Sequence, residues 1–281
     1  MKPVLIICGP TAIGKTKLAA FLAKKFQGEL ISADSRQVYQ EMDIVTGKDR
    51  PSGIKIHGLD LVKPDQEFSV AHFVNFATTL INQIINRGKL PILVGGTGQY
   101  LKSLISPPQT LAIPPDWALR RQLEKSSVLE LQNRLKKLNL LKFKQLNHSD
   151  RLNPRRLIRA LEVVQSASSG QNLKPHFNPL WIGLIAPKKI LDKNIVIRVN
   201  QRIKAGAIQE WQKLIKKYPT NLPSMSGIGY RQLPDVKKWI IAEQQYARRQ
   251  ITYLTKIKEI NWNPPDLVNL VKSWYTKSSL L

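Results

Sequence analysis

Cysteine is almost absent from this sequence, because the 281 residues include only one, Cys8. A single cysteine excludes both a disulfide framework and a cysteine-based zinc site. Cys8 directly follows the apolar residues 4–7. We therefore predict a buried thiol on a strand rather than a catalytic nucleophile.

Long apolar runs are also missing. The first run ends at Gly9 and Pro10, well short of the roughly 20 residues that a membrane span needs and of the apolar stretch of a signal peptide. The sequence predicts a cytoplasmic protein with no membrane partner. No feature requires more than one copy, so we expect a monomer.

Acidic side chains are scarce: 19 Asp and Glu stand against 44 Lys and Arg, which gives a net charge of +25. Residues 1–110 hold 13 basic and 8 acidic side chains, residues 111–190 hold 15 and 5, and residues 191–281 hold 16 and 6. A neutral small substrate does not require such a field, so the charge predicts a polyanionic partner that contacts mainly the later segments. The 42% hydrophobic content is that of a globular chain.

Short apolar runs alternate with helical periodicity over the first hundred residues. Buried strands are predicted at 4–8, 30–33 and 91–94, with helices near 15–26 and 70–87. This alternation favours a parallel sheet covered by helices, an α/β fold.

Two stretches rich in helix-breaking residues, 106–115 and 166–175, enclose a basic segment with a helical pattern at 117–165. We predict a helical insertion, residues 111–179, carried on two hinges within a discontinuous core of residues 1–110 and 180–281. A strand at 181–185 returns to the core sheet. Long amphipathic helices are predicted at 192–218 and 233–258.

A phosphate-binding loop stands between the first strand and the first helix. The pattern GxxxxGK[ST] is matched in full by Gly9, Pro10, Thr11, Ala12, Ile13, Gly14, Lys15 and Thr16. Such a loop directs backbone N–H groups at phosphate oxygens, and the helix N-terminus adds about half an elementary charge. Lys15 supplies a cation and the Thr16 hydroxyl suits Mg²⁺. The ligand is a di- or triphosphate.

Nucleotide hydrolases place a carboxylate after a later strand to hold the metal, yet here residues 92–94 are followed by Gly95, Gly96, Thr97 and Gly98. The best acidic candidate is Asp34, at the end of the strand at 30–33. It suits either a proton acceptor or a ligand of metal-bound water, and a helix cap is the structural alternative.

Several motifs together resemble one family, the bacterial tRNA dimethylallyltransferases, also called tRNA isopentenyltransferases. The motifs occur in the family's order and span nearly the whole chain. They are G-P-T-A-I-G-K-T at 9–16, D-S-R-Q-V-Y at 34–39, M-D-I at 42–44, F-S-V-A-H-F at 68–73, P-I-L-V-G-G-T-G-Q-Y at 91–100, R-R-L-I-R-A-L-E-V at 155–163, G-I-G-Y-R-Q at 227–232 and R-R-Q-I-T-Y at 248–253.

The resemblance implies a P-loop NTPase-like fold and transfer of a dimethylallyl group from dimethylallyl diphosphate to N6 of an adenosine beside the tRNA anticodon, with Mg²⁺ as cofactor. The loop would then hold the donor's diphosphate without hydrolysing a nucleotide. Asp34 would be the general base, while Thr11, Lys15, Thr16 and Arg198 would stabilise the leaving diphosphate. The adenosine must leave the anticodon loop to reach such a pocket.

The resemblance also implies a set of tRNA-binding residues, in which arginines position phosphates and Tyr230 and Tyr253 stack on unpaired bases. The set comprises Asp34, Ser35, Arg36, Gln37, Thr97, Arg120, Arg155, Arg156, Arg159, Gly229, Tyr230, Arg231, Arg248, Arg249, Gln250 and Tyr253. Solvated basic helix faces are the alternative interpretation of these arginine clusters.

The sequence departs from the family pattern at two places. Where R-I-x-x-R is common before Gly206, this chain has Asn194 in the first position and keeps Arg198 in the second. Where I-G-T-A-K-P is usual, residues 44–49 read I-V-T-G-K-D, so that Val45 replaces a glycine. The loss of one cation at position 194 predicts weaker donor binding.

Three other functions remain open at this point. An isopentenyltransferase that acts on free AMP or ADP would use the same loop but does not need the basic insertion. A small-molecule kinase would need lid arginines and a metal carboxylate. A tRNA-binding protein with weakened or lost catalysis is consistent with the departures at Asn194 and Val45.

Overall fold

A computed structural model describes residues 1–166 and 177–279. The chain divides into two compact units, unit 1 formed by Met1–Ser106 with Pro175–Leu281, and unit 2 formed by Pro107–Lys174. Among the described residues, no helix is both long and apolar enough to cross a membrane.

Six parallel strands form the sheet of unit 1, in the spatial order β3-β2-β4-β1-β5-β6. The strands are β1 Lys2–Cys8, β2 Gly28–Ser32, β3 Ile56–His57, β4 Leu90–Gly95, β5 Phe177–Gly183 and β6 Ile260–Trp262. Residues 4–8 of β1 are completely buried, as expected for a central strand covered on both faces. The predicted α/β fold with a parallel sheet is confirmed.

The helices of unit 1 cover this sheet. They are α1 Lys15–Lys25, α2 Val70–Asn86, α3 Gly98–Ile105, α9 Lys188–Lys204, α10 Ala207–Lys217, α11 Val236–Leu254 and α12 Leu267–Ser279. Leu22 of α1 and Val271 of α12 pack with Leu5 and Ile182 in one core. A second core joins α9, α10 and α11 through side chains such as Val199, Leu214 and Trp239.

The amphipathic stretch predicted at 192–218 forms two helices. Helix α9 ends at Lys204 and α10 begins at Ala207, with Gly206 between them at φ +103°. Glycine adopts this left-handed conformation without steric cost, so the backbone turns there. Likewise, the helix predicted at 233–258 covers only Val236–Leu254, and the Asp235 carboxylate caps it by accepting from Lys238 N at 2.9 Å.

Unit 2 is helical over its described residues and has its own core around Leu131, Leu135, Leu157 and Leu161. Its helices are α4 Trp117–Leu123, α5 Val128–Leu138, α6 Leu140–Gln145, α7 His148–Arg151 and α8 Pro154–Gln165, preceded by a 3₁₀ turn at Gln109–Ala112.

Unit 2 begins at Pro107 and ends at Lys174. Both bounds lie a few residues earlier than the predicted bounds of the insertion, 111 and 179. Thr110 O and Ile113 O accept from Arg159 within unit 2, whereas Phe177 already pairs with Lys2 in the sheet. Apart from Ser166, the second predicted hinge at 166–175 lies outside the described residues.

Candidate active site

The phosphate loop lies between β1 and α1, as predicted. Gly9 adopts φ +149°, and a Cβ there would lie 2.5 Å from Leu184 O, so a larger residue does not fit. Gly14 adopts φ +91° at the N-cap of α1. These two glycines allow the chain to curl at the carboxyl end of the central strand, where the N-terminus of α1 favours anions.

Lys15 is half-buried beside this loop, and its Nζ donates to Pro10 O at 2.6 Å. Burial, aided by the nearby Arg198, lowers the pKa of Lys15 to about 8. The ammonium is therefore poorly solvated before any ligand arrives, and an anion would be a favourable partner. Lys15 and Thr16 both line one cavity of unit 1.

The thiol of Cys8 is buried at the end of β1, as predicted. Burial raises the pKa of this thiol to about 12. A thiol that stays protonated at neutral pH is a poor nucleophile, so Cys8 has a packing role.

Gln250, predicted to contact tRNA, is buried and bonded to the phosphate loop instead. Its Oε1 accepts from Thr11 N at 2.8 Å, and its Nε2 donates to Gly96 O at 3.1 Å. The side chain of α11 thus links the loop after β1 to the end of β4. No local pattern indicates this role, because the two partners Thr11 and Gln250 are 239 residues apart.

Asp34 follows β2 and lines the same cavity as Lys15 and Thr16. Its Oδ1 accepts from Arg36 N at 2.9 Å, which closes a turn. The carboxylate therefore caps a turn rather than a helix. Its place in the cavity wall is what a proton acceptor requires.

The residues after Asp34 are held by polar contacts. Ser35 N donates to Thr97 Oγ1 at 3.2 Å, which brings the ends of β2 and β4 together. Gln37 Nε2 donates to Gly47 O at 2.9 Å. Arg36 donates from one Nη to Pro223 O at 2.6 Å. These contacts fix the loop around the cavity and position Asp34.

Helix α9 supplies a second basic group to the loop. One Nη of Arg198 donates to Thr11 Oγ1 at 3.3 Å, and the other lies 3.3 Å from Asp49 Oδ2. Asn194, one turn earlier, donates from Nδ2 to Ala12 O at 3.4 Å. Val45 is buried, and a Cβ on Gly229 would overlap its Cγ1. The valine therefore fits because Gly229 has no side chain.

One cavity of unit 1 joins these groups. Its charged and hydroxyl side chains come from the loops after β1 and β2 and from helices α9 and α11. They include Thr11, Lys15, Thr16, Ser32, Asp34, Arg36, Asp49, Arg198, Arg202, Glu243 and Tyr246. Arg202 and Glu243 were not predicted as site residues. A charged side chain on a helix usually faces solvent, and no motif in the sequence marks these two.

Tyr230 lines the cavity but offers little surface on which a base could stack. Tyr230 is only 4% exposed, and its hydroxyl donates to Glu210 Oε1 at 2.6 Å. Tyr253 is 38% exposed and its ring lies against Gly98, so this tyrosine does offer an accessible face. Arg231, Arg248 and Arg249 are exposed and available to an anionic partner.

The arginines of unit 2 fall into two groups. Arg120 Nε donates to Glu162 Oε1 at 2.6 Å, and Arg159 donates to Glu162 Oε2 at 3.0 Å and to the Thr110 and Ile113 carbonyls. The Glu162 side chain is 1% exposed. Burial acts to raise the pKa of Glu162, but Arg120 and Arg159 bring it below its usual value. Arg120 and Arg159 therefore have a structural role that their predicted assignment to tRNA missed.

Arg155 and Arg156, by contrast, are exposed on α8. Arg156 forms an ion pair with Asp150 at the surface. Exposed basic residues are common in this unit, where residues 107–166 contain 12 Lys and Arg against 5 Asp and Glu. This is the surface expected to meet a polyanion.

Unit 1 has a parallel sheet with a glycine-rich loop after its central strand, and basic groups and carboxylates line the cavity beside that loop. These features define a P-loop protein built to bind a phosphorylated substrate. The family model for IPP transferase matches residues 37–257, and the model for isopentenyl transferase matches residues 2–63. The chain belongs to the IPP transferase family.

Individual relatives agree with this assignment. A tRNA dimethylallyltransferase from Acetivibrio thermocellus is 37% identical, over 93% of this chain and 91% of the relative. The crystal structure of a tRNA isopentenylpyrophosphate transferase from Bacillus halodurans has a TM-score of 0.72 at 31% identity, covering 99% of this chain and 97% of that one. A eukaryotic dimethylallyltransferase acting on tRNA has a TM-score of 0.79 at 25% identity, covering 99% and 78%.

Proposed function

We propose that this protein transfers the dimethylallyl group of dimethylallyl diphosphate to N6 of the adenosine 3′-adjacent to the tRNA anticodon, releasing diphosphate. One observation carries the proposal: the phosphate loop with Lys15, the Arg198 guanidinium and the Asp34 carboxylate line a single cavity. An anion-binding site beside a proton acceptor is what this substitution requires. The names of the relatives support tRNA as the acceptor and dimethylallyl as the transferred group.

Two groups of cavity residues would share the chemistry. The N6 nitrogen forms a bond to the allylic carbon C1 as the bond from C1 to the diphosphate oxygen breaks. Lys15, Thr11, Thr16 and Arg198 stabilise the negative charge that accumulates on the diphosphate. Asp34 takes the proton that N6 loses, which leaves a neutral secondary amine as product.

Mg²⁺ is proposed as the cofactor, bound through Thr16. The Thr16 hydroxyl is a hard oxygen donor of the kind Mg²⁺ prefers, and Mg²⁺ commonly takes several of its ligands from substrate phosphates and water. No group of three or more His, Cys, Asp or Glu that could hold a metal occurs among the described residues. The metal would supply further positive charge at the leaving diphosphate.

The tRNA would contact exposed basic side chains in both units, Arg231, Arg248 and Arg249 in unit 1 and Arg155 and Arg156 in unit 2. Tyr253 would stack on an unpaired base. Lys15, Asp34 and Arg198 of a single chain already line one cavity, and we propose that a monomer is active.

The test is incubation of the protein with radiolabelled dimethylallyl diphosphate and Mg²⁺, in one reaction with an anticodon stem-loop and in another with free AMP. A stem-loop with guanosine in place of the target adenosine is the matched control. Label in the adenosine stem-loop alone supports the proposal. Label in free AMP instead would indicate an adenylate isopentenyltransferase, and binding of the stem-loop without transfer would indicate a protein that has lost catalysis.

A further inference from the structure

Arg202 is a buried cation in the same cavity, one turn after Arg198 on helix α9. Positions 194, 198 and 202 are each four residues apart, so they share one face of the helix. Arg202 is only 8% exposed and lines the cavity together with Thr11, Lys15 and Arg198. A guanidinium is seldom buried without a full set of acceptors.

The hydrogen bonds of Arg202 are incomplete. One Nη donates to Glu243 Oε1 at 3.1 Å, and the other lies 3.5 Å from Thr46 O, at the limit for such a bond. The Nε atom is buried and has no partner within the part of the chain that the structure describes. Five N–H donors are thus served by one good acceptor, and an incoming anion would supply the missing ones.

The neighbouring backbone leaves room for this arrangement. Gly47 adopts φ +65°, and a Cβ there would overlap one Nη of Arg202 and lie 2.8 Å from one Nη of Arg198. The two guanidinium groups therefore meet at a position without a side chain. Burial, and then repulsion by Arg198, lowers the pKa of Arg202 to about 10. Bound negative charge would offset this repulsion.

The same helix face lacks a cation at its other end. Asn194 occupies that position, and its side-chain Nδ2 donates to Ala12 O. We propose that Arg202 binds the diphosphate of the prenyl donor together with Arg198, and so provides the positive charge that Asn194 does not. The substrate named here rests on the proposed function, whereas the affinity for a diphosphate group does not.

A purely structural role is the competing explanation, because the Arg202–Glu243 ion pair also joins α9 to α11. Two variants separate the explanations, since both Arg202→Met and Glu243→Gln remove this ion pair. If Arg202 only holds the helices together, both variants should affect diphosphate binding alike. If Arg202 binds the anion, only the first should weaken it.

The experiment is isothermal titration of inorganic diphosphate into the full-length protein, with Lys204→Met as a control that removes an exposed charge from the same helix. Arg202→Met should weaken diphosphate binding about 10- to 100-fold, the effect of losing a charge-assisted hydrogen bond. Glu243→Gln should bind as tightly as the wild type or more tightly. Arg202→Met should lower affinity by the same factor in the Glu243→Gln background, and Lys204→Met should change it less than about twofold.

Equal losses in Arg202→Met and Glu243→Gln, or no loss in either, would overturn the inference. If Arg202→Met does not fold, Arg202→Lys takes its place, because it keeps the charge but loses the planar fork and should still weaken binding several-fold. A wild type that binds diphosphate through Arg202 yet makes no prenylated RNA would contradict the proposed function alone. A wild type that is active while Arg202→Met keeps full diphosphate affinity would contradict this inference alone.

Discussion

The two units use their less exposed arginines for different purposes. In unit 2, Arg120 and Arg159 share Glu162, whose side chain is 1% exposed, and Arg159 also donates to backbone carbonyls. In unit 1, Arg198 and Arg202 lie beside each other with only partial acceptors. The arginines of unit 2 thus bond to a buried carboxylate at 2.6 and 3.0 Å, whereas the contacts of Arg198 are at 3.3 Å and Arg202 Nε has no partner among the described residues. The first pair stabilises the fold, and the second retains hydrogen-bonding capacity for an anion. The residue type alone does not distinguish these cases.

The largest effect is expected at the carboxylate that faces the basic groups of unit 1. Asp34→Asn keeps the shape and the acceptor oxygen for Arg36 N but does not take up a proton. Transfer should fall about 10²- to 10⁴-fold, the usual cost of losing a general base. Single-turnover transfer to the stem-loop measures this, with tRNA affinity as the control that should stay unchanged. Near-normal turnover would leave Asp34 with only its turn-capping role.

The next effect tests the structural arginines of unit 2. Glu162→Ala removes the carboxylate that Arg120 and Arg159 share and should destabilise unit 2 by about 1–3 kcal/mol, the usual cost of removing a partner from charged hydrogen bonds. Hydrogen exchange of residues 107–166 measures the change. Glu124→Ala, at an exposed position of the same unit, should change stability by less than about 0.5 kcal/mol. Equal protection in the two variants would contradict the structural role.

A smaller effect concerns pH and Lys15 in unit 1. Its pKa is lowered to about 8, so the ammonium is present below that pH and is lost as the pH rises through it. Diphosphate affinity should therefore decline above pH 8, by up to about tenfold per unit, because the bound anion favours the protonated lysine. Titration calorimetry across the range measures this, and Lys15→Met corrects for the titration of diphosphate itself. Parallel curves for the two proteins would exclude Lys15 as the titrating group.

The smallest effect distinguishes the exposed arginines of unit 2 from the two that pair with Glu162. Replacing Arg155 and Arg156 with Ala should weaken tRNA binding. The slope of log binding constant against log salt concentration should become shallower by about 0.7 to 0.9 for each phosphate contact that is lost. The KM for dimethylallyl diphosphate should stay constant. An unchanged salt slope would identify these arginines as a solvated helix face. Arg159→Ala should instead destabilise unit 2, because its partners are Glu162 and backbone carbonyls.

Much of the fold could be predicted because its signals are local. The phosphate loop, the central strands and helices α1 and α2 follow from apolar runs, glycine spacing and helical periodicity. Strands β3 and β6 have two and three residues, too few to show any periodicity. The sequence has a helical pattern on both sides of Gly206, so periodicity alone does not show that α9 ends before this residue and α10 begins after it.

The site was predictable where one loop carries it and unpredictable where tertiary packing brings residues together. The family motifs indicated Asp34, Lys15 and Arg198. The bonds from Gln250 to Thr11, from Tyr230 to Glu210 and from Glu162 to Arg120 join residues that are 20 to 239 positions apart. No pattern in the sequence specifies them. Exposure decides whether an arginine or tyrosine in a motif faces a ligand, and exposure depends on the packing of distant elements.

The hydrogen bond from Thr11 N to Gln250 has a consequence for the cost of binding. One amide of the phosphate loop is already occupied by a side chain, and that side chain is fixed at its other end by Gly96 O. The loop is thus held in its curved form before a substrate enters, so its conformational entropy is lost during folding and not during binding. Donor affinity then depends on the charges that face the cavity more than on ordering of the loop.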